Sequence, residues 1–216
     1  MNDEQQVQQV GRWLGWSAVL LLGLAVLGIS LISMGVFDPP LAGEKESVIP
    51  LDRELTTTTE QVEWLDVAVA GDEVTMWLAA AYTSGEQDSS YGLALGSPEN
   101  YLVVAVSPAG YVTVFQVNSE QLPVTSYQLP VTSYQSLNLS VSPSPLLPWQ
   151  PWPHVWRGQQ SNEFLLEIVG DDVTARVNRE WLWQGKWEGR GRNPALYLAT
   201  HNQPVTATFE QMTVRQ

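Results

Sequence analysis

From Trp13 to Phe37 the chain runs for 25 residues, WLGWSAVLLLGLAVLGISLISMGVF, without a charged side chain. In hydrocarbon every N–H and C=O must be paired within the segment, so a run of this kind has one single-segment solution, a helix. At about 1.5 Å per residue it reaches roughly 37 Å, enough to cross a hydrocarbon core of about 30 Å with some tilt. The competing reading is a cleaved signal peptide, which has a basic start, a shorter apolar stretch and a small-residue cleavage site. Here the start, MNDEQQVQQVGR, holds one Arg against two acids, and no A-x-A site follows. A buried helix of a soluble protein is argued against by the length of the uncharged run. The expectation is an uncleaved transmembrane helix over residues 13–37, with the lipid bilayer as partner. Trp13 and Trp16 fit an interfacial belt, and Arg12 can snorkel to head groups. Gly11 and Gly15 form a G-x-x-x-G at the edge of the span, where a flexible entry to the helix explains them better than helix pairing.

Charge orients the expected span. Residues 38–156 carry 14 acidic side chains against 2 basic ones, and no Lys or Arg lies between Arg53 and Arg157. A stretch so poor in Lys and Arg is easily translocated. Residues 1–12 are therefore expected as a cytoplasmic tail and residues 38–216 outside, in a single-pass protein of the cell membrane. The net charge of −13 argues against nucleic acid, whose binding requires clustered bases to release counterions. There is no cysteine, hence no disulfide and no lipoprotein attachment. His154 and His201 are the only histidines, so a zinc site built from His and Cys is excluded by count, and no metal or cofactor is expected.

After the span, Pro39-Pro40 stops the helix. Residues 38–61 read as an extracytoplasmic linker, with Thr56–Thr59 as either linker or a first edge strand. Helical patterning does not return. Short alternating runs follow, bounded by turn residues. They are Val62–Ala70, Val74–Tyr82, Tyr91–Leu95, Tyr101–Val106, Tyr111–Val117, Glu163–Val169, Val173–Val177, Trp181–Gln184, Ala195–Thr200 and Val205–Val214. Roughly ten strands with short turns over residues 62–216 predict an all-β antiparallel sandwich of one domain. Residues 118–161 are irregular and contain a tandem copy, QLPVTSY at 121–127 and again at 128–134. Seven residues are too few for a solenoid unit, so the copy reads as a lengthened surface loop. Asn138-Leu139-Ser140 matches a glycosylation sequon, which matters only in a eukaryotic secretory pathway.

Two segments carry a resemblance. YGLALGSPENYLVVAVSPAGYVTVFQV, from Tyr91 to Val117, resembles a recurring stretch of bacterial concanavalin A-like (laminin G-like) jelly rolls. There a strand beginning Tyr-Gly, a turn, a strand beginning with Tyr and an S-x-x-G-Y turn follow one another. WRGQQSNEFLLEIVGDDVTARVNREWLW, from Trp156 to Trp183, resembles the second half, with Gly158, Asn162, Leu165, Gly170, Val177 and Asn178 at about the expected places. The family's Gly after that last Asn is Arg179 here. The resemblance covers roughly residues 60–216 and implies a jelly-roll sandwich. Its motifs are structural and do not choose among lectins, sugar-binding modules and sugar hydrolases of that fold. The E-x-D-x-x-E strand of laminarinase-type hydrolases, which would supply two carboxyls about 5–5.5 Å apart, is absent.

Candidate sites are few. Trp149, Trp152 and Trp156 lie in the proline-stiffened run LPWQPWPHVWRG, and Trp181, Trp183 and Trp187 in EWLWQGKWEG. Flat indole faces can stack on sugar rings, or plug a sandwich. A period of two puts Trp181 and Trp183 on one side of a strand. Lys186, Arg190 and Arg192 form the densest basic cluster, a candidate contact for an anionic surface or an acidic partner, or a solvated loop. Glu86, Asp88 and Ser89 offer oxygens, but fewer than the 6–8 calcium takes. Asp171-Asp172 reads as turn chemistry. No G-x-S-x-G elbow or phosphate-cradling loop is present. The expected function is non-catalytic binding of a glycan or surface protein. The alternatives are an accessory subunit of a membrane complex and, third, a sugar hydrolase.

Overall fold

The computed structural model describes residues 16–17, 19–30, 46–67, 69–118, 144–187, 189 and 191–216. The tandem copy, the sequon, Gly11, Arg12, Trp13, Gly15, Pro39-Pro40, Arg190 and both ends of the expected span lie outside them. The chain divides into two units, residues 1–40 and residues 41–216.

In the first unit, the described residues 16–17 and 19–30 are helical. The Ser30 hydroxyl donates to the Val26 carbonyl at 2.9 Å, the usual way a helix absorbs a serine. Trp16, Val19, Leu20, Leu21, Leu22, Leu24, Val26, Leu27 and Ile29 all stand exposed. Among the described residues, no helix is long and apolar enough to cross a membrane.

The second unit is an antiparallel sandwich of two six-stranded sheets, and it fits a jelly roll. Its strands are β1 (Glu46–Thr57), β2 (Glu60–Trp64), β3 (Glu73–Ser84), β4 (Ser90–Ser97), β5 (Asn100–Val106), β6 (Tyr111–Asn118), β7 (Ser144–Pro151), β8 (Ser161–Val169), β9 (Asp172–Val177), β10 (Glu180–Lys186), β11 (Asn193–Ala199) and β12 (Val205–Arg215). The first sheet runs β1-β12-β3-β8-β9-β10 and the second β2-β11-β4-β5-β6-β7. The inner faces meet in one core. Val74, Met76, Leu78, Phe164, Leu166, Ile168 and Phe209 of the first sheet oppose Leu93, Leu95, Leu102, Val104, Val114, Leu196 and Leu198 of the second. The strict alternation of β8 puts Phe164, Leu166 and Ile168 inside while Leu165 and Glu167 turn out.

The structure differs from the sequence reading in three places. The expected linker over 38–61 contains a full strand, since β1 pairs with β12 from Glu46↔Arg215 to Thr57↔Val205. Its Pro50 and the bulge at Asp52 (φ 37°) hide the strand pattern, and both are tolerated because β1 is the sheet edge. The run Val62–Ala70 is a strand only as far as Trp64, and β2 and β3 belong to different sheets rather than to one hairpin. The stretch 144–151 forms edge strand β7 despite Pro145, Pro148 and Pro151, with two register shifts along β6.

The turns account for the remaining connections. Gly170-Asp171 closes the β8–β9 hairpin, with Gly170 at φ 62° supplying the positive angle a type II′ loop needs at its first central residue. Asn178-Arg179 closes β9–β10 with both residues at positive φ, 51° and 71°, as a type I′ loop requires. The tight turn thus survives the replacement of the family's glycine, with a bulky side chain held in a left-handed conformation.

Asn162 ties the second half together. Fully buried, it donates to the Tyr91 hydroxyl at 2.8 Å and to the Trp156 carbonyl at 2.9 Å. Its carbonyl accepts from the Trp156 N–H at 2.9 Å and from the Asn178 amide at 2.7 Å.

Candidate functional site

The outer face of the second sheet is a concave, aromatic surface. Its outward-pointing positions on the central strands are small: Gly92, Ala94, Ala105 and Ala195. Large rings from flanking positions close over them. Trp64 on β2 meets Tyr101 on β5 edge-on, with centroids 5.9 Å apart. Tyr197 on β11 meets Phe115 on β6 with centroids 5.6 Å apart. Each pair joins strands three places apart, about 14 Å on a flat sheet at 4.8 Å per strand. The sheet curves toward its outer side, and the rings lean inward across the small residues. Gly92 shows how close the backbones run, since a Cβ there would meet the Val104 carbonyl oxygen and, at 2.9 Å, the Ala105 Cα.

One end of this face opens into a groove of about 610 Å³. Its apolar walls are Phe115, Tyr197, Trp149, Pro145, Pro148 and Ala199. Trp149, half exposed at 49%, rises from edge strand β7 between Pro148 and Gln150. The irregular β6–β7 register that places it is held by Thr113, whose hydroxyl donates to the Leu147 carbonyl at 2.9 Å. The polar lining comes from Thr58, Thr59, Ser90, Thr113 and Thr200, together with Glu60, Asp88 and His201. Among the described residues, no Lys or Arg lines it. Nearby, Glu86 fixes the rim, its Oε2 accepting from the Thr200 hydroxyl and the Asn202 N–H, both at 3.2 Å.

The electrostatics follow from that lining. Burial against the aromatic face pushes the Glu60 carboxyl above its usual value, opposed in part by a hydrogen bond from Tyr101. The Tyr101 phenol is pushed up to about 12, first by burial and then by the Glu60 charge and its hydrogen bond to Glu60. The Tyr197 phenol is raised by burial and by the same charge, against a lowering hydrogen bond with Ser90. Glu60 therefore puts a negative field on the phenols of the concave face. Asp88, also in the lining, has no hydrogen bond or ion pair among the described residues.

The six tryptophans singled out from sequence go to different places, and only Trp149 lines the groove. Trp152 packs against the main core with its indole nitrogen buried and without an acceptor. Trp156 is exposed beside the Asn162 knot. Trp181 and Trp183 do not share a face, because a bulge between them breaks the period of two. Trp181, opposite Arg176, faces out at 54% exposure, whereas Trp183, opposite Ala175, lies against the core. Trp187 is buried, again with an unpaired indole nitrogen. A local rule seats the last two. Each is followed two residues later by a glycine, Gly185 or Gly189, and a Cβ there would collide with the indole ring. These rings fold back over their own chain and are packing.

Of the basic cluster, the described members Lys186 and Arg192 are both paired. Arg192 donates to the Gly71 and Gly170 carbonyls, the second at 3.1 Å, and sits 3.8 Å from Asp72. It pins two turns together. Lys186 lies 3.5 Å from Asp172, its cross-strand partner. Among the described residues no group of His, Cys, Asp and Glu could hold a metal ion, and Ser89, a candidate oxygen ligand, instead donates to the Glu86 carbonyl at 2.6 Å.

Sequence reasoning missed Glu60, Tyr101, Phe115 and Tyr197 as one surface. The available signal was the second register of β5 and β11. Opposite the core residues Leu102, Val104, Leu196 and Leu198 stand Tyr101, Val103, Ala105, Ala195 and Tyr197, which are equally apolar.

No family model matches the chain. No curated protein matches it either. Solved structures do resemble the fold. A carbohydrate-binding module of Bacillus subtilis, CBM66, is 11% identical with a TM-score of 0.52, over 82% of this chain and 100% of that one. An Aspergillus kawachii beta-fructofuranosidase complexed with glycerol is 9% identical with a TM-score of 0.50, over 80% of this chain and 28% of the enzyme. The Caenorhabditis elegans galectin LEC-6 is 12% identical with a TM-score of 0.44, over 78% of this chain and 99% of that one. The chain thus spans the full length of the binding module and about a quarter of the enzyme. The likenesses to the binding module and the enzyme agree with the jelly-roll sandwich as a fold.

Proposed function

We propose that the β-sandwich is a non-catalytic glycan-binding module and that its groove is the binding site. One observation carries this reading. The groove combines an exposed indole, Trp149, with phenyl and phenol rings and a row of hydroxyls in about 610 Å³. A pocket of roughly 300–1,000 Å³ with apolar walls and a few convergent polar groups suits one or a few sugar residues. Aromatic faces cover the C–H surface of a sugar ring while hydroxyls answer its hydroxyls. The full-length likeness to a carbohydrate-binding module agrees with it.

In this reading residues 13–37 anchor the module in a cell membrane, with residues 38–216 on the extracytoplasmic side. The uncharged run and the exposed apolar helical residues support it. The test of the site is a glycan array probed with the full chain and with Trp149→Ala. Binding of a defined glycan class that falls at least about tenfold in the variant, roughly 1.4 kcal/mol, is the expected result. No binding to any glycan, or equal binding by the variant, removes the reading. Alkaline extraction of membranes tests the anchor: release of the chain into the soluble fraction would reject it. Stoichiometric partners retained in mild detergent would favour an accessory subunit instead.

A further inference from the structure

Resting on that reading, we propose that the groove selects glycans bearing free amino groups, of the glucosamine type, over acetylated, neutral or anionic ones. The argument is one of charge complementarity within a formed groove. Its lining holds two carboxylates, Glu60 and Asp88, beside the imidazole of His201, and among the described residues no Lys or Arg. Among the described residues the ion pairs of Lys and Arg lie elsewhere, on Glu46, Glu63, Asp72, Glu163 and Asp172. Among the described residues, neither groove carboxylate therefore has a Lys or Arg partner. Glu60 has a hydrogen bond from Tyr101, and Asp88 has none among the described residues.

An anionic sugar would place a third negative charge between these two, against walls of Phe115, Tyr197 and proline that cannot screen it. A neutral sugar would leave both carboxylates as they are. An ammonium on the ring gives them a partner, while the ring's C–H face keeps its contact with Trp149. Tyr197 and Phe115 add aromatic rings whose faces attract a cation. The partial desolvation of Glu60 points the same way, because a nearby cation favours its ionised form. A lysine-bearing peptide would meet the carboxylates too. The hydroxyl row of Thr58, Thr59, Ser90, Thr113 and Thr200 fits a polyhydroxylated ring better than a methylene chain.

The test uses the full chain in mild detergent and calorimetric titration with three ligands of equal length: a fully deacetylated β-linked glucosamine hexamer, its fully N-acetylated counterpart, and the neutral glucose hexamer. The deacetylated hexamer is expected to bind about tenfold more tightly than the other two, with the advantage shrinking as salt is added. Glu60→Gln and Asp88→Asn are each expected to reduce that advantage about three- to fivefold, and the double variant to abolish it. Unchanged melting temperatures check that the variants fold. Equal binding of all three ligands, or an advantage that survives the double variant, overturns the inference and leaves the glycan-binding reading standing. Failure of all three ligands, with no glycan bound on the array, overturns both.

Discussion

The two sheets share strand number and core, yet their outer faces are opposites. The first sheet's outer face is dressed in paired charges. Arg215 reaches Glu46 at 2.7 Å, Arg179 lies 3.5 Å from Glu163, and Lys186 lies 3.5 Å from Asp172. The second sheet's outer face buries Ala94, Val103, Ala105 and Ala195 completely under rings, and its groove holds two carboxylates with no Lys or Arg among the described residues. A solvated face with compensated charge is what a sandwich needs for solubility. A second apolar face, hollowed by a groove, adds nothing to solubility, and it is the face on which the proposed glycan-binding function rests.

Several substitutions would break or sharpen this contrast. The largest effects belong to the concave face. Tyr197→Ala removes a 5%-exposed ring and its contact with Phe115, and should lower unfolding free energy by about 3–5 kcal/mol in urea titration. Gly92→Ala should cost about 3 kcal/mol or more, since its Cβ can fit only if β4 and β5 separate. If either proves as mild as a surface change, the second face is not the rigid surface described here.

Next comes alkali. The fully buried Tyr91 phenol, bonded to Asn162, is pushed by burial from 10.0 up to about 12. A folded-state value above the unfolded one means the folded chain holds this proton more tightly. The contribution is therefore complete below pH 10 and is lost as pH rises through 12, a change of about 3 kcal/mol. Tyr101 and Tyr197 move in the same direction. Urea midpoints should fall steeply above pH 10. Tyr91→Phe should be less stable at neutral pH by about 1 kcal/mol, and its alkaline fall should be shallower. An unchanged alkaline slope would contradict the assignment.

The first sheet supplies the small effects. Arg179→Gly should raise stability by about 0.5–1 kcal/mol, because φ 71° strains an arginine and suits a glycine, while its ion pair is exposed and weak. Lys186→Ala should change stability by no more than about 0.5 kcal/mol. A cost near that of Tyr197→Ala would erase the distinction between the faces.

Much of the sandwich was legible because its strands alternate and its hairpins carry their own turn chemistry. Gly170 and Asn178 mark two-residue loops from local residues alone. β1 and β7 were not legible because edges tolerate proline, and a proline-bearing edge reads as loop. Trp181 and Trp183 were misassigned to one face because a bulge changes the period without a composition signal. The site was legible only at Trp149. Glu60 and Tyr197 lie far apart in sequence and meet through the order β2-β11-β4, which alternation within single strands does not encode.

The three prolines of β7 have an effect beyond placing Trp149. A strand lends its neighbour N–H groups, and β7 is missing them at Pro145, Pro148 and Pro151 along eight residues. A second chain approaching that border finds no continuous ladder to extend. Copies crowded side by side would stay separate there rather than zip into a continuous sheet, and the groove beside Trp149 would stay open to whatever diffuses past.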